Sequence, residues 1–515
     1  MASDSAHRRR WWALVVVSLG LLTISLDNTI LNVALPSIST DLGASGGELQ
    51  WIVDAYTLVF AGLVLTAGSL GDRFGRRKAL VVGLLVFATG SLAAALSGSP
   101  GALTASRAFM GIGAALVMPT TLSVITNVFP ANERGKAIGI WAAVAGIGVA
   151  VGPIAGGFLL EHFEWGAVFL VNLPVAAVVV AAARWLVPES RDPEASRLDP
   201  VGAGLSVAGL TTLVWAIIEA PERGWTDGVI LGAFAVAAAL LIGFARWELR
   251  TSSPMLDVRL FRLGAFSGAS GAVALAFFSL FGVIFFLTQY LQEVLDYSAL
   301  EAGVRTLPVA GGLIVGGPLS ARIAQKVGAR YVVAAGLAIL AGGLGLMSTV
   351  EVGSGYGLIA ASMAILGVGM GSAMAPSTES IMSTLPLAHA GVGSAMNDTT
   401  RMVGGSLGVA VLGSLLSSGY GDDMARITEG LDPRAAEAAG ESIGAAGAVA
   451  EKIGGQAGAA LAQAADGAFI SAMTTALTVG AGVALAGAAF AVVVMPRKQR
   501  EPKAAAVETV EAVPA

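Results

Sequence analysis

Long apolar runs separated by short polar connections extend along almost the whole sequence. Fourteen of these runs approach or exceed the length that an α-helix needs to cross a bilayer, about 20 apolar residues. The predicted spans 1 to 14 cover residues 11–36, 48–70, 79–97, 101–127, 136–160, 166–187, 201–219, 228–246, 265–291, 301–323, 330–350, 356–384, 390–418 and 467–495. The pattern therefore predicts an all-α polytopic membrane protein with fourteen transmembrane helices.

The basic residues are concentrated in alternate connections between these spans. Most of the 30 Lys and Arg residues fall before span 1, after span 14 and after the even-numbered spans. Because basic loops resist translocation, we expect these segments and both termini in the cytoplasm, with the chain in the inner membrane of a bacterial cell. Residues 8–25 resemble a signal peptide, but the apolar run continues to Pro36 without a small-residue cleavage site, so we interpret it as span 1.

The composition sharpens this picture. Hydrophobic residues make up 55% of the chain and charged residues only 13%, against about 25% charged in a soluble domain. There is no Cys, and the three His residues are far apart, which argues against disulfides, metal centres and Cys nucleophiles. We therefore expect no metal, no cofactor and no nucleic-acid partner.

An internal repeat relates the two ends of the chain. Residues 105–113 resemble residues 361–369 at a shift of 256, and nearly the same shift superimposes glycines elsewhere. The repeat maps spans 1–6 onto spans 9–14 and leaves spans 7 and 8 inserted between them. Two repeats around a central site are typical of transporters that work by alternating access.

This repeat divides the chain into four regions. An N-terminal six-helix bundle is predicted over 1–190, two inserted helices over 191–262, a C-terminal six-helix bundle over 263–495 and a cytoplasmic tail over 496–515. The C-terminal bundle contains an external segment, 419–466, in which Asp432 and Pro433 can start a short helix.

A charged corner of residues 68–78 joins spans 2 and 3. It combines basic residues with one acid and with glycines that permit a sharp turn and close helix packing. An ordinary positive-inside anchor explains the arginines but not the acid or the glycine spacing. The residues of this motif are Gly68, Asp72, Arg73, Gly75, Arg76 and Arg77.

Charged residues within the spans are candidates for proton coupling, because each costs at least about 2.5 kcal/mol in the bilayer centre. They are Asp27, Asp54, Arg107, Glu379, Asp398 and Arg401. Asp27, Asp54 and Arg107 lie at similar depth and can form one cluster, in which burial favours a neutral carboxyl group and the arginine favours a charged one. The alternatives are a static salt bridge to Arg107, mutual neutralisation of Asp398 and Arg401, and a Glu379 that only extends to the membrane surface.

Two further sets of residues are candidates for movement and for binding. Span 5 carries glycines around a proline, which allow close helix crossing and a bend; the motif is Gly148, Gly152, Pro153, Gly156 and Gly157. Packing alone is the alternative role for these residues. Aromatic side chains with one amide can bind an organic cation, although such residues often face lipid or core; these are Trp51, Tyr56, Phe281, Phe285 and Gln289.

Several of these patterns together resemble the major facilitator superfamily, and within it the fourteen-span drug:proton antiporters. The charged corner resembles the signature G-x-L-x-D-R-x-G-R-R, and residues 26–36, 107–113 and 148–157 are similar to further family motifs. Residues 51–56 and 397–400 look like segments of quaternary-ammonium and multidrug exporters. The resemblance implies two six-helix bundles with two inserted helices, and acids that couple protons or recognise cations. It also implies a gating role for the charged corner, which stabilises one access state in that family, and for the glycine–proline motif of span 5, which marks its exporters.

The resemblance also implies a substrate class. It adds Asn28 and Asn32 of the first-span signature to the substrate-binding candidates. We predict a proton-coupled antiporter that exports amphipathic, cationic organic compounds, uses the proton gradient instead of a cofactor, contacts membrane lipids and works as a monomer. The alternatives are a dedicated exporter of one antibiotic, metabolite or lipid and, from other classes, a membrane enzyme or a sensor.

Overall fold

Fourteen helices that are long and apolar enough to cross a membrane make up most of the described part of the chain. The structure is a computed structural model that describes residues 2–44, 46–191, 199–252 and 254–497. Within these residues, spans 1 to 14 are Arg9–Leu35, Glu48–Phe74, Arg76–Ala95, Pro100–Val128, Ala131–His162, Ala167–Leu186, Pro200–Arg223, Gly228–Glu248, Gly264–Val294, Leu300–Val327, Ala329–Met347, Tyr356–Ser383, Leu387–Ile427 and Gly455–Val494. All fourteen predicted spans are thereby confirmed.

Four of these spans are not continuous α-helices. Span 6 consists of Ala167–Leu170 and Asn172–Leu186. Span 9 ends in the π-helical turn Tyr290–Val294. Span 10 has a first segment, Ala299–Arg305, before its main helix Leu307–Val327. Span 13 begins with the 3-10 turn Leu387–His389, which is followed by its main helix Ala390–Ile427.

Short polar motifs in the sequence start several helices. Ser99, Asp199 and Asp227 each accept a backbone N–H of the helix that follows, and a proline occupies the next position after the first two. In the predicted external segment, Asp432 caps the helix Pro433–Glu441 as expected, and a second short helix, Ile443–Ile453, follows. The hydroxyl group of Tyr420 in span 13 donates to the carbonyl of Ala439 at 3.1 Å and fastens the first of these helices.

The internal repeat is visible as equivalent close contacts in the two bundles. A methyl group added at Gly113 of span 4 would lie 2.6 Å from the carbonyl oxygen of Gly83 in span 3. One added at Gly369 of span 12 would lie 2.8 Å from the carbonyl oxygen of Gly336 in span 11. Both pairs need glycine so that two backbones can touch, and the repeat places them at corresponding positions.

The inserted span 7 packs on both bundles. Leu58 and Ala61 of span 2 form a buried cluster with Val214 of span 7, and Met402 of span 13 packs against it. Just beyond the C-terminal end of span 7, the indole N–H of Trp225 donates to the hydroxyl oxygen of Ser414 in span 13 at 3.2 Å. Span 7 therefore lies along the groove between spans 2 and 13.

Candidate functional site

The charged corner links the two bundles at one end of the helices, which we call the basic end. Gly75 separates spans 2 and 3 with a φ of 116°, a conformation that favours glycine. This turn allows Asp72 and Arg76 to meet: Arg76 Nε and Nη2 donate to Asp72 Oδ1 at 2.8 and 2.6 Å, and both residues are buried. The pair is a short charge-assisted bridge, which orients both side chains toward span 13.

Asp72 caps the first turn of span 13. Its Oδ1 accepts the N–H of Gly391 at 2.8 Å, and its Oδ2 accepts the N–H of Val392 at 3.1 Å. An anion at a helix N-terminus satisfies unpaired N–H groups and interacts favourably with the helix dipole. Arg76 Nη2 completes the junction by donating to the carbonyls of Leu387 and Ala388 at 2.7 and 2.9 Å.

The other predicted corner residues divide into two groups. Gly68 lies against span 13, where an added methyl group would be 2.8 Å from Ala395 Cβ. Arg77 stays within its own bundle, because its Nε lies 3.5 Å from Glu189 Oε2. The guanidinium group of Arg73 lies 5.5 Å from the ring centre of Phe74.

The counterpart of this corner in the second bundle has a neutral contact. Gln325 occupies the position that corresponds to Asp72, and its amide donates to the carbonyl of Asn132 at the start of span 5 at 3.2 Å. The second corner therefore also joins the bundles, without an ion pair in this contact.

The glycines of span 5 lie in two directions. Gly148, Gly152 and Gly156 face span 1, where added methyl groups would press on Ser25, Thr29 and Ile30. Pro153 and Gly157 face span 10 and lie against its Gly303 and Leu300, respectively. Span 5 is thus packed tightly between its own bundle and the opposite one.

Asp27 and Arg107 form an ion pair inside the first bundle. Arg107 Nη1 and Asp27 Oδ2 are 2.5 Å apart, and both side chains are fully buried. Arg107 Nε also donates to the carbonyl of Ile52 at 3.3 Å, and the ring centre of Tyr56 lies 4.4 Å from the guanidinium carbon. Tyr56 therefore covers the arginine and does not present the free aromatic surface that we expected.

Asp54 does not join this cluster, contrary to the expectation from depth alone. Ile52 and Tyr56 face Arg107, and Asp54 is about 200° around span 2 from Ile52. Asp54 instead faces span 7, where the negative charges of Glu219 and Glu222 act on it and Gln50 supplies a hydrogen bond.

A second polar cluster lies where span 13 meets both bundles. Arg401 Nη1 lies 3.4 Å from Asp398 Oδ1, and its guanidinium carbon lies 4.7 and 5.6 Å from the ring centres of Phe277 and Trp141. Asp398 Oδ2 is buried and has no hydrogen-bond partner in the described part of the chain. Glu379 Oε2 is also buried without a hydrogen-bond partner among the described residues, and the nearby charge that acts on Glu379 is that of Arg134.

The remaining binding candidates differ in exposure. Asn28 and Asn32 of span 1 are exposed, as are Trp51 and Phe281, at 45% and 40%. Gln289 is half-buried, and the side chain of Phe285 lies outside the part of the chain that is described. Because an amide facing lipid is costly, we expect these exposed asparagines to face water or a ligand.

Sequence reasoning missed Asn172 and Ser91. Both are fully buried, and Asn172 Nδ2 donates to Asp27 Oδ1 at 2.8 Å. The only available signal was a polar residue at the break within span 6. Glu219, near the end of span 7, is also largely buried and accepts a hydrogen bond from Arg223 Nε at 2.7 Å.

Comparison with known proteins identifies the family. The family model of the Major Facilitator Superfamily matches residues 17–409. The chain belongs to the major facilitator superfamily. This confirms the family that the motifs predicted, and the solved major facilitator structures agree with it in fold. The human organic anion transporter MFSD10 covers 94% of this chain and 99% of its own at a TM-score of 0.61 and 15% identity. The match to the proton:xylose symporter XylE covers 96% of this chain and 98% of the symporter, with a TM-score of 0.60 and 15% sequence identity.

The major facilitator proteins most informative about this chain are resistance and efflux proteins. It is 37% identical to the tetracenomycin C resistance and export protein of Streptomyces glaucescens, over 94% of this chain and 91% of that protein. It is 38% identical to the multidrug efflux pump LfrA of Mycolicibacterium smegmatis, over 93% and 95%. It is 36% identical to the methyl viologen resistance protein SmvA of Salmonella typhimurium, over 91% and 95%.

Proposed function

We propose that this protein is a proton-coupled antiporter that exports amphipathic, cationic organic compounds by alternating access. Relatives that share more than a third of the sequence over nearly their whole length are named for multidrug efflux, for export of one antibiotic and for resistance to methyl viologen. Methyl viologen is a dication, which supports a cationic substrate class. The protein acts as a monomer in the bacterial inner membrane, with the basic end and both termini in the cytoplasm.

The buried pair of Asp27 and Arg107 carries this proposal. A carboxylate without contact to water and with one cationic partner can exchange that partner for a proton, since either state leaves it paired or neutral. Asn28 follows Asp27 in span 1, and Asn32 lies one turn later on the same exposed face of the helix as Asn28. A cation bound at these amides would act on Asp27 from the neighbouring face of the same helix.

The bonds at the basic end support an inward-closed, outward-open state. Asp72, Arg76 and Gln325 all join the two bundles there. Opening toward the cytoplasm requires these bonds to break. Protonation and substrate release thus change which end of the bundles is joined.

The test is ethidium transport by proteoliposomes with the pH gradient imposed or collapsed. We expect transport only with the gradient, and we expect Asp27→Asn to abolish it. Asp41→Asn, at the exposed end of the same helix, is the matched control and should transport normally. Gradient-independent ethidium transport by the wild-type protein, or normal gradient-driven transport by Asp27→Asn, would contradict the proposal.

A dedicated exporter of a single compound is the second candidate, and the tetracenomycin C export protein is the observation that favours it. A panel of quaternary ammonium compounds, dyes and polyketide antibiotics distinguishes the two. Protection of cells against several cationic chemotypes supports multidrug export, and protection against one chemotype supports the dedicated exporter.

A further inference from the structure

Asn172 belongs to a hydrogen-bonded chain that ends on Asp27. Asn172 Nδ2 donates to Asp27 Oδ1 at 2.8 Å and to Ser91 Oγ at 3.0 Å. The hydroxyl group of Ser91 in turn donates to the carbonyl oxygen of Phe169 at 2.7 Å. Spans 3 and 6 are thereby connected to the carboxylate of span 1, and the side chains of Asn172, Ser91 and Asp27 are all fully buried.

The amide of Asn172 is held from one side only. Its Oδ1 is buried and has no hydrogen-bond partner among the described residues. Rotation of the amide therefore breaks only the bonds to Asp27 and Ser91. Both of those partners can reverse their role, because a hydroxyl group donates and accepts and because a carboxyl group becomes a donor when it takes up a proton.

We propose that Asn172, supported by Ser91, is a positioning residue that follows the protonation state of Asp27. While Asp27 is ionised, the amide donates to it and holds it against Arg107. When Asp27 takes up a proton, the amide turns, Oδ1 accepts the new O–H, and Arg107 is released from its carboxylate partner. The inference rests on the proposed proton coupling and assigns it a residue outside the ion pair.

Among the side chains around Asp27, Asn172 is the one that we expect to pair with both the ionised and the protonated carboxyl group. The charged or titratable groups that face Asp27 in the described structure are Arg107 from span 4 and Tyr56 from span 2. The groups from spans 3 and 6 are neutral. Arg107 has no acceptor and cannot accept the O–H of a protonated carboxyl group. Of the two side chains that are hydrogen-bonded to Asp27 in the described structure, the Asn172 amide is therefore the one that can donate to the ionised form and accept from the protonated form.

The experiment measures protons released by the purified full-length protein when ethidium is added, as a function of pH. In Asn172→Leu the ionised form of Asp27 loses a charge-assisted hydrogen bond and the protonated form loses only a weaker, neutral one, so the pH of half-maximal release should rise by about one unit. Ser91→Ala should shift it in the same direction by less. The double variant should match Asn172→Leu, because the serine acts through the amide.

Ser206→Ala is the matched control for the serine change. Ser206 is a fully buried hydroxyl in span 7 that donates to the carbonyl of Ala203 at 3.0 Å, away from this chain of bonds. Ser206→Ala should keep the wild-type pH of half-maximal proton release. Ser91→Ala only removes an oxygen, so it decides the matter even where Asn172→Leu does not fold.

Two negative results have different meanings. A wild-type midpoint in Ser91→Ala and in folded Asn172→Leu overturns the role of Asn172 and leaves proton coupling by Asp27 intact. Absence of ethidium-triggered proton release from the wild-type protein overturns the proposed function itself, and the inference with it.

Discussion

Replacing Asp72 by Asn should open the basic end. The substitution keeps the shape of the side chain but removes the charge that Arg76 and the N-terminus of span 13 share. Hydrogen bonds to a charged group contribute about 1.5–3 kcal/mol, against about 0.5–1.5 kcal/mol for neutral ones, and the helix N-terminus adds up to about 2 kcal/mol. We therefore expect the joined state to lose about 2–3 kcal/mol relative to states in which the bonds are broken.

That loss predicts a measurable change in populations. At about 1.4 kcal/mol for each factor of ten, the ratio of open to joined states at the basic end should rise about 30- to 150-fold. The chain contains no Cys, so Lys78→Cys and Lys326→Cys can carry spin labels without background. Both sites are exposed at the basic end and lie in opposite bundles, and the label-to-label distance distribution should gain a longer component in Asp72→Asn.

The control is the same chemical change at another helix start. Asp227 accepts the N–H groups of Val229 and Ile230 at the start of span 8 and joins no second bundle. Asp227→Asn should leave the distance distribution unchanged. An unchanged distribution in Asp72→Asn, or an equal change in both variants, would refute the reasoning.

Three further predictions follow from the packing and the charges. Gly152→Ala should abolish ethidium efflux and lower thermal stability, because the added methyl group would collide with span 1. The control is Gly135→Ala, whose methyl group would make only ordinary van der Waals contacts, and it should behave as wild type in the same two assays. Asp54→Asn should fold and remain monodisperse on size-exclusion chromatography but lose pH-driven ethidium efflux, because an acid inside a span that is grouped with two further acids, Glu219 and Glu222, is a second candidate for proton coupling. Wild-type efflux in this variant would mean that Asp54 has no part in the coupling. Gln325→Ala should lengthen the spin-label distance less than Asp72→Asn does, because it removes one neutral hydrogen bond of about 1 kcal/mol; an equal effect would mean that charge is not decisive at the basic end.

The fold was predictable from the sequence because the bilayer imposes a simple length rule. Each of the fourteen spans exceeds or approaches the required apolar length, and the short connections leave little freedom in their order. The glycine motifs were predictable for a related reason. Where a glycine is repeated at a fixed spacing in a helix, close contact with another helix is the usual cause, as at Gly148, Gly152 and Gly156.

The pairing of the charged residues was only partly predictable. Depth in the membrane placed Asp27, Asp54 and Arg107 at one level, but depth does not say which way a helix is turned. The rotation of span 2 decides that Tyr56 faces Arg107 and that Asp54 faces span 7. Asn172 lies 145 positions from Asp27, and only the packing of span 6 brings the two together.

The position of span 7 restricts how the two bundles can separate. It contacts span 2 through Leu58 and Val214, and Met402 of span 13 packs against the same cluster. Spans 2 and 13 therefore cannot part along this flank unless span 7 stays with one of them and exposes an apolar strip to the other. Span 7 must therefore exchange protein contacts for lipid on one of its sides whenever spans 2 and 13 separate.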